Sequence, residues 1–455
     1  MAAIPSPLER GIRVALLAAA VPLTVWTANQ VFHAVTKTRV RLNHAVEKKD
    51  AADLINFLFE SKNGSYNQLP SRGFLLKVCQ ALETISSPED VALVTVPEEV
   101  YDRIAELLKR FIQKNDTEAI AAVLLLVYRT SFSNRVCKDR YGKLGISRMA
   151  LEAVRTHHLV HRNVALRGAA AITHLAAWNE AGNRNLLNEQ GACELMVEML
   201  DGAQARSDTA VARATCEAIR VLNDEARLVK SGAFEVLTTA LLAFGQSDAS
   251  VAAEACAGMG RLLNYDSARA FEERRIHLDL QLGACEGLVG ALGTFGTSAV
   301  AMVEEACPVV SALCRHSDGA QNKERLGLLG MCDVLVGILA SEEASWDLNQ
   351  AWMVSRACTA MADLAENCPE NRRRLREVGA CEVAVDVLRV FAERQIPDVA
   401  PVACSLVLTL IGGDEEQGKE NRTRLEELGV VEAVRATHKD NVNKQRTLKA
   451  LGVKD

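Results

Sequence analysis

Apolar positions recur along this chain in a three-part pattern, which is clearest in residues 371–410. A short first segment is anchored by Leu375 and ends at Gly379. A second segment follows with apolar residues at helical spacing, and a third begins near Ala400, after the chain breaker Pro397. This spacing predicts a short helix, a second helix and a longer third helix. Glycine suits the first junction because it adopts the left-handed conformation at little cost.

The junction glycine recurs seven times, at intervals of 41 to 51 residues. In four places it begins nearly the same phrase, in which Cys and then an acidic residue follow two and three positions later. The seven glycines are Gly145, Gly191, Gly232, Gly283, Gly330, Gly379 and Gly429. A period of this size predicts a stacked-repeat protein, because one such unit cannot bury its apolar face alone.

The register resembles the armadillo-repeat family, in which an Asn-x-x-x-Leu-x-x-x-Gly signature joins the first and second helices. The matching sets are Asn183, Leu187 and Gly191; Asn322, Leu326 and Gly330; Asn371, Leu375 and Gly379; and Asn421, Leu425 and Gly429. The resemblance implies an all-α, right-handed armadillo-type superhelical solenoid of three-helix repeats. Armadillo arrays bind very different partners, so the resemblance implies protein binding without naming a partner.

The pattern divides the chain into four parts. Residues 1–42 form a hydrophobic amino-terminal segment, and residues 43–130 are expected to form degenerate helical repeats that cap the array. Residues 131–436 carry the armadillo-type solenoid. Residues 437–455 show little apolar periodicity and are predicted to be a basic tail.

Residues 14–35 are largely apolar and long enough to form a helix that crosses a bilayer. Basic residues follow this segment in greater number than they precede it, which predicts a solenoid on the cytosolic side. The positions that define the segment include Val14, Leu17, Val21, Leu23, Trp26 and Val35. We expect a membrane anchor, at a mitochondrial or other cytosol-facing organelle membrane. Three alternatives are a mitochondrial presequence, a helix docked on protein and a cleaved secretory signal.

The charge is unevenly distributed along the chain. Residues 1–49 hold seven Lys or Arg against two Glu, whereas the remaining residues hold 45 Lys or Arg against 56 Asp or Glu. An acidic body is a poor nucleic-acid binder, and an aromatic content of 4% argues against stacking platforms for single strands. The acidic body favours basic protein partners, or serves only solubility.

Most of the thirteen cysteines fall at equivalent positions of successive repeats. Equivalent positions of stacked helices lie about 8–10 Å apart, which exceeds the reach of a disulfide. The cysteines are therefore predicted to be small buried hydrophobic residues in a reducing environment.

Candidates for chemistry are few. His157 and His161 have the i,i+4 spacing of two metal ligands on one helix face, but no third ligand stands nearby in sequence. Asp363 and Glu366 are a possible carboxylate pair near the end of a third helix, where solvent exposure is the simpler interpretation. The chain has no P-loop and no HExxH motif. We expect no catalytic residues, metal, cofactor or small-molecule substrate.

The third helices line the concave face in armadillo arrays, and in their importin-alpha members that face carries repeated Trp and Asn residues. The corresponding positions here are His174, Val221, Arg261, Ala312, Asp363 and Thr409. Because no Asn ladder appears, an importin-like groove is not expected. Candidate protein-binding residues are His174, Arg261 and Asp363 on this face. Trp346 and Trp352, near a long loop, are further candidates as exposed contacts, with packing on a neighbouring helix as the alternative.

These features together predict a non-enzymatic protein-binding scaffold tethered to a membrane. One alternative is a structural accessory subunit of a large membrane complex, which could be mitochondrial. The other is a soluble chaperone cofactor or cytoskeletal adaptor whose first helix docks on protein.

Overall fold

The computed structural model describes residues 55–56, 58–59, 69–84, 96–132, 134–177, 182–263, 278–315, 319–341, 346, 348–396, 398–412, 416–437 and 442–453. Side chains are described at these positions except in residues 278–282 and 416–417. The predicted membrane segment, residues 14–35, lies outside the described residues.

All regular secondary structure in the described part of the chain is α-helical. The helices are α1 (Arg72–Thr84), α2 (Glu98–Gln113), α3 (Thr117–Ser131), α4 (Arg135–Lys143), α5 (Ile146–His157), α6 (Arg162–Ala176), α7 (Asn183–Glu189), α8 (Ala192–Ala205), α9 (Thr209–Leu222), α10 (Glu225–Lys230), α11 (Ala233–Phe244), α12 (Ala249–Leu263), α13 (Leu278–Phe295), α14 (Val300–Arg315), α15 (Gly319–Leu328), α16 (Met331–Ser341), α17 (Ala351–Ala365), α18 (Pro369–Glu377), α19 (Ala380–Glu393), α20 (Ala400–Leu410), α21 (Glu416–Glu427), α22 (Val430–Ala436) and α23 (Val442–Ala450). The prediction of an all-α protein is confirmed.

The chain divides into two units, Met1–Ala150 and Leu151–Asp455. In the first unit, α3 packs against α1, α2 and α4. This helix is the centre of the unit because it is almost wholly apolar, and its residues from Ala119 to Val127 are all buried. The hydroxyl groups of Thr130 and Tyr141 lie 2.7 Å apart and join α3 to α4 inside this core.

In the second unit, equivalent helices of successive repeats stack into layers. The third helices α6, α9, α12, α14, α17, α20 and α23 each contact the next in one layer. The second helices α8, α11, α13, α16, α19 and α22 do the same in another. The apolar core of this unit lies where these layers meet, so each repeat buries its apolar face against its neighbours.

The junction glycines adopt the left-handed conformation at six of the seven predicted positions, with φ between 73° and 97°. They terminate a short helix and allow the next to begin at once, as the sequence pattern predicts. Gly283 differs, because α13 runs continuously through it. The predicted helix break at Gly283 is wrong: with no turn to make, its helix-forming neighbours carry the helix through a glycine, which costs about 1 kcal/mol relative to Ala.

Gly330 and Gly337 lie seven residues apart and provide a matched pair for testing this role. Gly330 has φ +90°, whereas Gly337 lies within α16 and an added Cβ would meet no atom within 4 Å. We expect Gly330→Ala to lower the free energy of unfolding by about 1–2 kcal/mol because of backbone strain. Gly337→Ala should raise it by about 0.5–1 kcal/mol. Urea denaturation measures both, and equal effects would contradict the role assigned to Gly330.

The signature asparagines tie the repeats together from inside. Asn322 Nδ2 donates to the carbonyl of Leu313 at 2.9 Å, and Asn421 Nδ2 donates to that of Leu410 at 2.8 Å. In both cases the acceptor lies in the last turn of the preceding third helix, where carbonyls lack partners within the helix. Both asparagines are buried, so the contact satisfies polar groups that water does not reach.

An ion pair also recurs between successive repeats. An acidic residue three positions after a junction glycine meets an arginine five positions before the next one. The three pairs are Arg227 with Glu194 at 3.9 Å, Arg325 with Glu286 at 3.0 Å, and Arg424 with Glu382 at 2.7 Å. Exposed pairs of this kind contribute only about 0–1 kcal/mol each. Their regular position favours one stacking register over others.

The predicted basic tail contains a further helix of the stack. Helix α23 contacts α20, and Thr447 Oγ1 donates to the carbonyl of Cys404 at 3.2 Å. Residues 442–450 therefore occupy the place of a third helix, and the prediction of a tail is wrong for them. Packing of buried Thr447 against the preceding repeat stabilises this helix, although its own apolar periodicity is weak.

All thirteen cysteines are free thiols, and twelve are buried. Burial raises the pKa of the Cys404 thiol to about 11, against the smaller opposing effect of a hydrogen bond with Thr447. For Cys381, burial raises the pKa to about 12, and the charge of Glu382 adds to the effect. The prediction of buried, unpaired cysteines is confirmed.

Because the thiolate is the reactive form, the native protein should react quickly with about one equivalent of Ellman's reagent, at half-buried Cys368. The remaining thiols should react only after denaturation. Cys368→Ser should abolish the rapid phase, and rapid reaction of several thiols in that variant would contradict the described burial.

No described helix is long and apolar enough to cross a membrane. The helices range from six residues in α10 to 18 in α13. This finding overturns the predicted localisation at a mitochondrial or other organelle membrane.

Candidate protein-interaction surface

The six third-helix positions predicted to line a binding face are all at least partly accessible. Arg261 is exposed, whereas the other five are half-buried. These five are His174, Val221, Ala312, Asp363 and Thr409. The structure thus places the predicted candidates on the accessible side of the third-helix layer, while their role in binding stays a prediction.

Charged residues on this side form contacts between neighbouring third helices. Arg220 Nε on α9 meets Glu254 Oε2 on α12 at 2.7 Å. Arg315 Nη2 on α14 meets Asp363 Oδ2 on α17 at 2.8 Å. Arg261 donates to the side chain of Asn223, just after α9. The predicted candidates Arg261 and Asp363 therefore have a structural role in stacking, whatever else they contact.

The two candidate tryptophans have opposite environments. Trp346 is 0% exposed and stacks on Phe391 of α19, with ring centroids 6.2 Å apart and an angle of 17° between the planes. Its carbonyl accepts a hydrogen bond from Arg394. The prediction that Trp346 is an exposed contact is wrong, because the ring packs over the second helix of the next repeat.

Trp352 is 60% exposed and lies in the first turn of α17. The guanidinium of Arg356, one turn further along, lies 4.8 Å from the centroid of its ring. Arg356 also donates to the carbonyl of Glu304 on α14. The arginine therefore supports one side of the indole and is itself held by the neighbouring helix, which limits the freedom of the tryptophan.

Other exposed apolar side chains accompany Trp352. Leu348, 72% exposed, precedes α17, and Val300 begins the neighbouring third helix α14. We call Val300, Leu348 and Trp352, with Arg356 and Glu304, the Trp352 surface. Burial raises the pKa of Glu304, while the charge of Arg356 opposes this shift. The surface thus combines exposed apolar groups with a carboxyl group that is only partly solvated.

Sequence reasoning identified Trp352 but did not assign a role to Arg356. The sequence did contain an indication that Arg356 contacts Trp352, since residues four positions apart lie on the same face of a helix. The contact of Arg356 with Glu304 joins residues 52 positions apart and has no counterpart in local spacing.

The described residues contain no group of three or more His, Cys, Asp or Glu side chains arranged to hold a metal ion. Asp363, proposed above as one of a carboxylate pair, is instead engaged by Arg315.

Comparison with solved structures supports the architecture. The crystal structure of an engineered protein matches with a TM-score of 0.61 and 16% identity, covering 90% of this chain and 89% of that one. A structure from work on a phosphorylation switch in the interaction between cadherin and beta-catenin matches with a TM-score of 0.55 and 15% identity, covering 88% and 90%. The fold is a helical repeat. No protein-family profile matches the chain, and no curated protein matches its sequence.

Proposed function

We propose that this protein is a non-enzymatic protein-binding scaffold built on an armadillo-type right-handed solenoid. The left-handed junction glycines and buried signature asparagines support the armadillo assignment, because both occupy the positions that the family resemblance implies. A helical repeat presents a long, rigid surface, and such surfaces are suited to binding other proteins.

The Trp352 surface is the observation that carries this proposal. Tryptophan and arginine are enriched among the residues that dominate binding energy at protein interfaces. Here Arg356 already orders the indole, so a partner would lose little conformational entropy in engaging it. The exposed apolar side chains Leu348, just before α17, and Val300, at the start of the neighbouring helix α14, are available to the same partner.

The partner expected at this surface is a protein segment with an apolar side chain to cover Trp352 and a basic side chain near Glu304. The half-buried carboxyl group of Glu304 favours a cation, and the acidic balance of residues 50–455 favours basic partners over nucleic acid. The neighbour associated with cadherin and beta-catenin is consistent with protein binding by this kind of fold.

The test compares partners captured by the wild-type protein, by Trp352→Ala and by Leu328→Ala. Leu328 is 63% exposed at the end of α15 and provides a matched apolar control away from the Trp352 surface. A partner identified by cross-linking at this surface should bind Trp352→Ala at least tenfold more weakly, and Leu328→Ala normally. Equal binding by both variants would refute the assignment of this surface.

A catalytic role predicts a different outcome. Turnover of a substrate by the purified protein, lost on changing His157 or Asp363 and retained in Trp352→Ala, would contradict the scaffold proposal altogether.

A further inference from the structure

The turn that joins α5 to α6 carries two histidines whose rings make an edge-to-face contact. Helix α5 ends at His157, and the His161 N–H donates to the carbonyl of His157 at 2.8 Å, which closes the turn. The two ring centroids lie 6.0 Å apart, with 69° between the ring planes. The backbone hydrogen bond thus holds the two histidine residues close together in the turn, while their side chains can rotate.

His158, between them in sequence, is directed into the protein. Its ring is buried, with Nδ1 at 3.1 Å from the carbonyl of Val154 and Nε2 at 3.4 Å from Glu198 Oε1. These contacts leave His157 and His161 as the accessible pair. None of the described residues forms a hydrogen bond with the ring of either one.

Only the neutral form of imidazole is a metal ligand, so protons compete with a metal ion for both rings. Twelve of the thirteen thiols are buried, so they compete poorly for an ion added to the folded protein.

We propose that His157 and His161 form a two-ligand surface site for a divalent first-row transition metal ion such as Zn²⁺ or Ni²⁺. Imidazole suits these ions, and water molecules would complete the coordination sphere. Metal–nitrogen distances of about 2.0–2.1 Å would bring the ring centroids to about 5 Å. The rings need to approach by only about 1 Å, which side-chain rotation in this exposed turn supplies.

Metal binding would also fix an exposed apolar pair. Leu159 and Val160 lie between the two ligands and are 62% and 79% exposed. An ion that bridges both rings closes the turn around them and holds these side chains in one arrangement. Hydrogen exchange of the amides in residues 157–161 should therefore slow when the ion is added.

Isothermal titration of the full-length protein with ZnCl₂ and NiCl₂ near neutral pH tests the site. We expect one ion per chain, bound at least tenfold more weakly by His157→Ala and by His161→Ala. His174→Ala, on the neighbouring helix α6, should bind as the wild type does. Acidification should weaken binding by the wild type, because protonated imidazole does not bind a metal ion.

His161→Ala is the decisive variant, because His161 is exposed and its replacement leaves the core intact. Unchanged binding by this variant would place the ion elsewhere and overturn the proposal. Absence of binding by the wild type at millimolar metal would overturn it as well. Circular dichroism spectra matching the wild type would establish that a loss of binding reflects the missing ligand.

Discussion

Trp346→Ala is expected to lower the free energy of unfolding by about 3–5 kcal/mol, the usual cost of removing a large buried aromatic side chain. Trp346 is fully buried and Phe391, on which it stacks, is 1% exposed. Replacement by Ala leaves a cavity against α19 and removes the aromatic stacking between two repeats. Urea denaturation followed by circular dichroism measures the loss without depending on tryptophan fluorescence.

Trp352→Ala is the matched control for this prediction. Its side chain is 60% exposed and contacts Arg356 over one face, so its removal should change stability by less than about 0.5 kcal/mol. Equal losses from the two variants would contradict the different environments of the two tryptophans. The pair also separates folding from binding, because we expect the exposed residue to affect partner affinity and the buried one to affect stability.

Trp346→Phe refines the comparison. The smaller ring retains an aromatic stack on Phe391, and it removes an indole N–H that has no hydrogen-bond partner among the described residues. Loss of this buried, unpaired donor offsets part of the lost packing. We therefore expect Trp346→Phe to lower the free energy of unfolding by less than half as much as Trp346→Ala does.

These tryptophans show where prediction from sequence stops. The long loop near residue 346 indicates an irregular connection, but not which helix its side chains contact. Trp346 meets Phe391, 45 positions later, and no local spacing specifies that pair. Exposure of Trp352 depends equally on which helices pack against α17, and local spacing does not specify these either. Composition and periodicity thus identified both residues without separating their roles.

The turns at the junction glycines were easier to predict, because their conformation depends mainly on residues that are close in sequence. A glycine that adopts the left-handed conformation needs only its own backbone, and six of the seven predicted positions have it. The prediction was wrong at Gly283 because a helix break there depends on the preceding residues as well as on the glycine. Helix α13 continues through this position. The prediction of a tail was wrong for residues 442–450 for a related reason. A neighbouring repeat, rather than their own apolar pattern, stabilises α23.

Asn371 was predicted only in part. The repeat signature identified its position in the sequence, but not the helices that its side chain contacts. Its amide nitrogen donates to the carbonyl of Leu364 at 3.1 Å and to that of Lys323 at 2.8 Å. The first acceptor lies at the end of α17, and the second lies in α15 of the preceding repeat. One buried side chain therefore connects three helices, whereas the sequence signature accounts only for a turn.

We expect Asn371→Ala to lower the free energy of unfolding by about 1–3 kcal/mol, since it leaves two buried carbonyls without this donor. Asn371→Asp separates hydrogen bonding from side-chain volume. It keeps the shape and the acceptor for Arg374, but it removes the amide donor. If hydrogen bonds to the two carbonyls are the main contribution of Asn371 to stability, Asn371→Asp should destabilise the protein at least as much as Asn371→Ala. Near-wild-type stability for Asp would instead assign the role to packing.

Asn163→Ala is a suitable control, because Asn163 is exposed at the start of α6 and should change stability by less than about 0.5 kcal/mol. For Asn371→Ala, the part of the protein that loses stability is as informative as the size of the loss. Because stacked repeats depend on contacts with their nearest neighbours, the effect of Asn371→Ala should be largest in α15, α17 and α18. Native-state hydrogen exchange should show faster opening there than in α8 and α9. A uniform change across the second unit would mean that its repeats unfold together, and that the Asn371 contacts stabilise the stack as a whole.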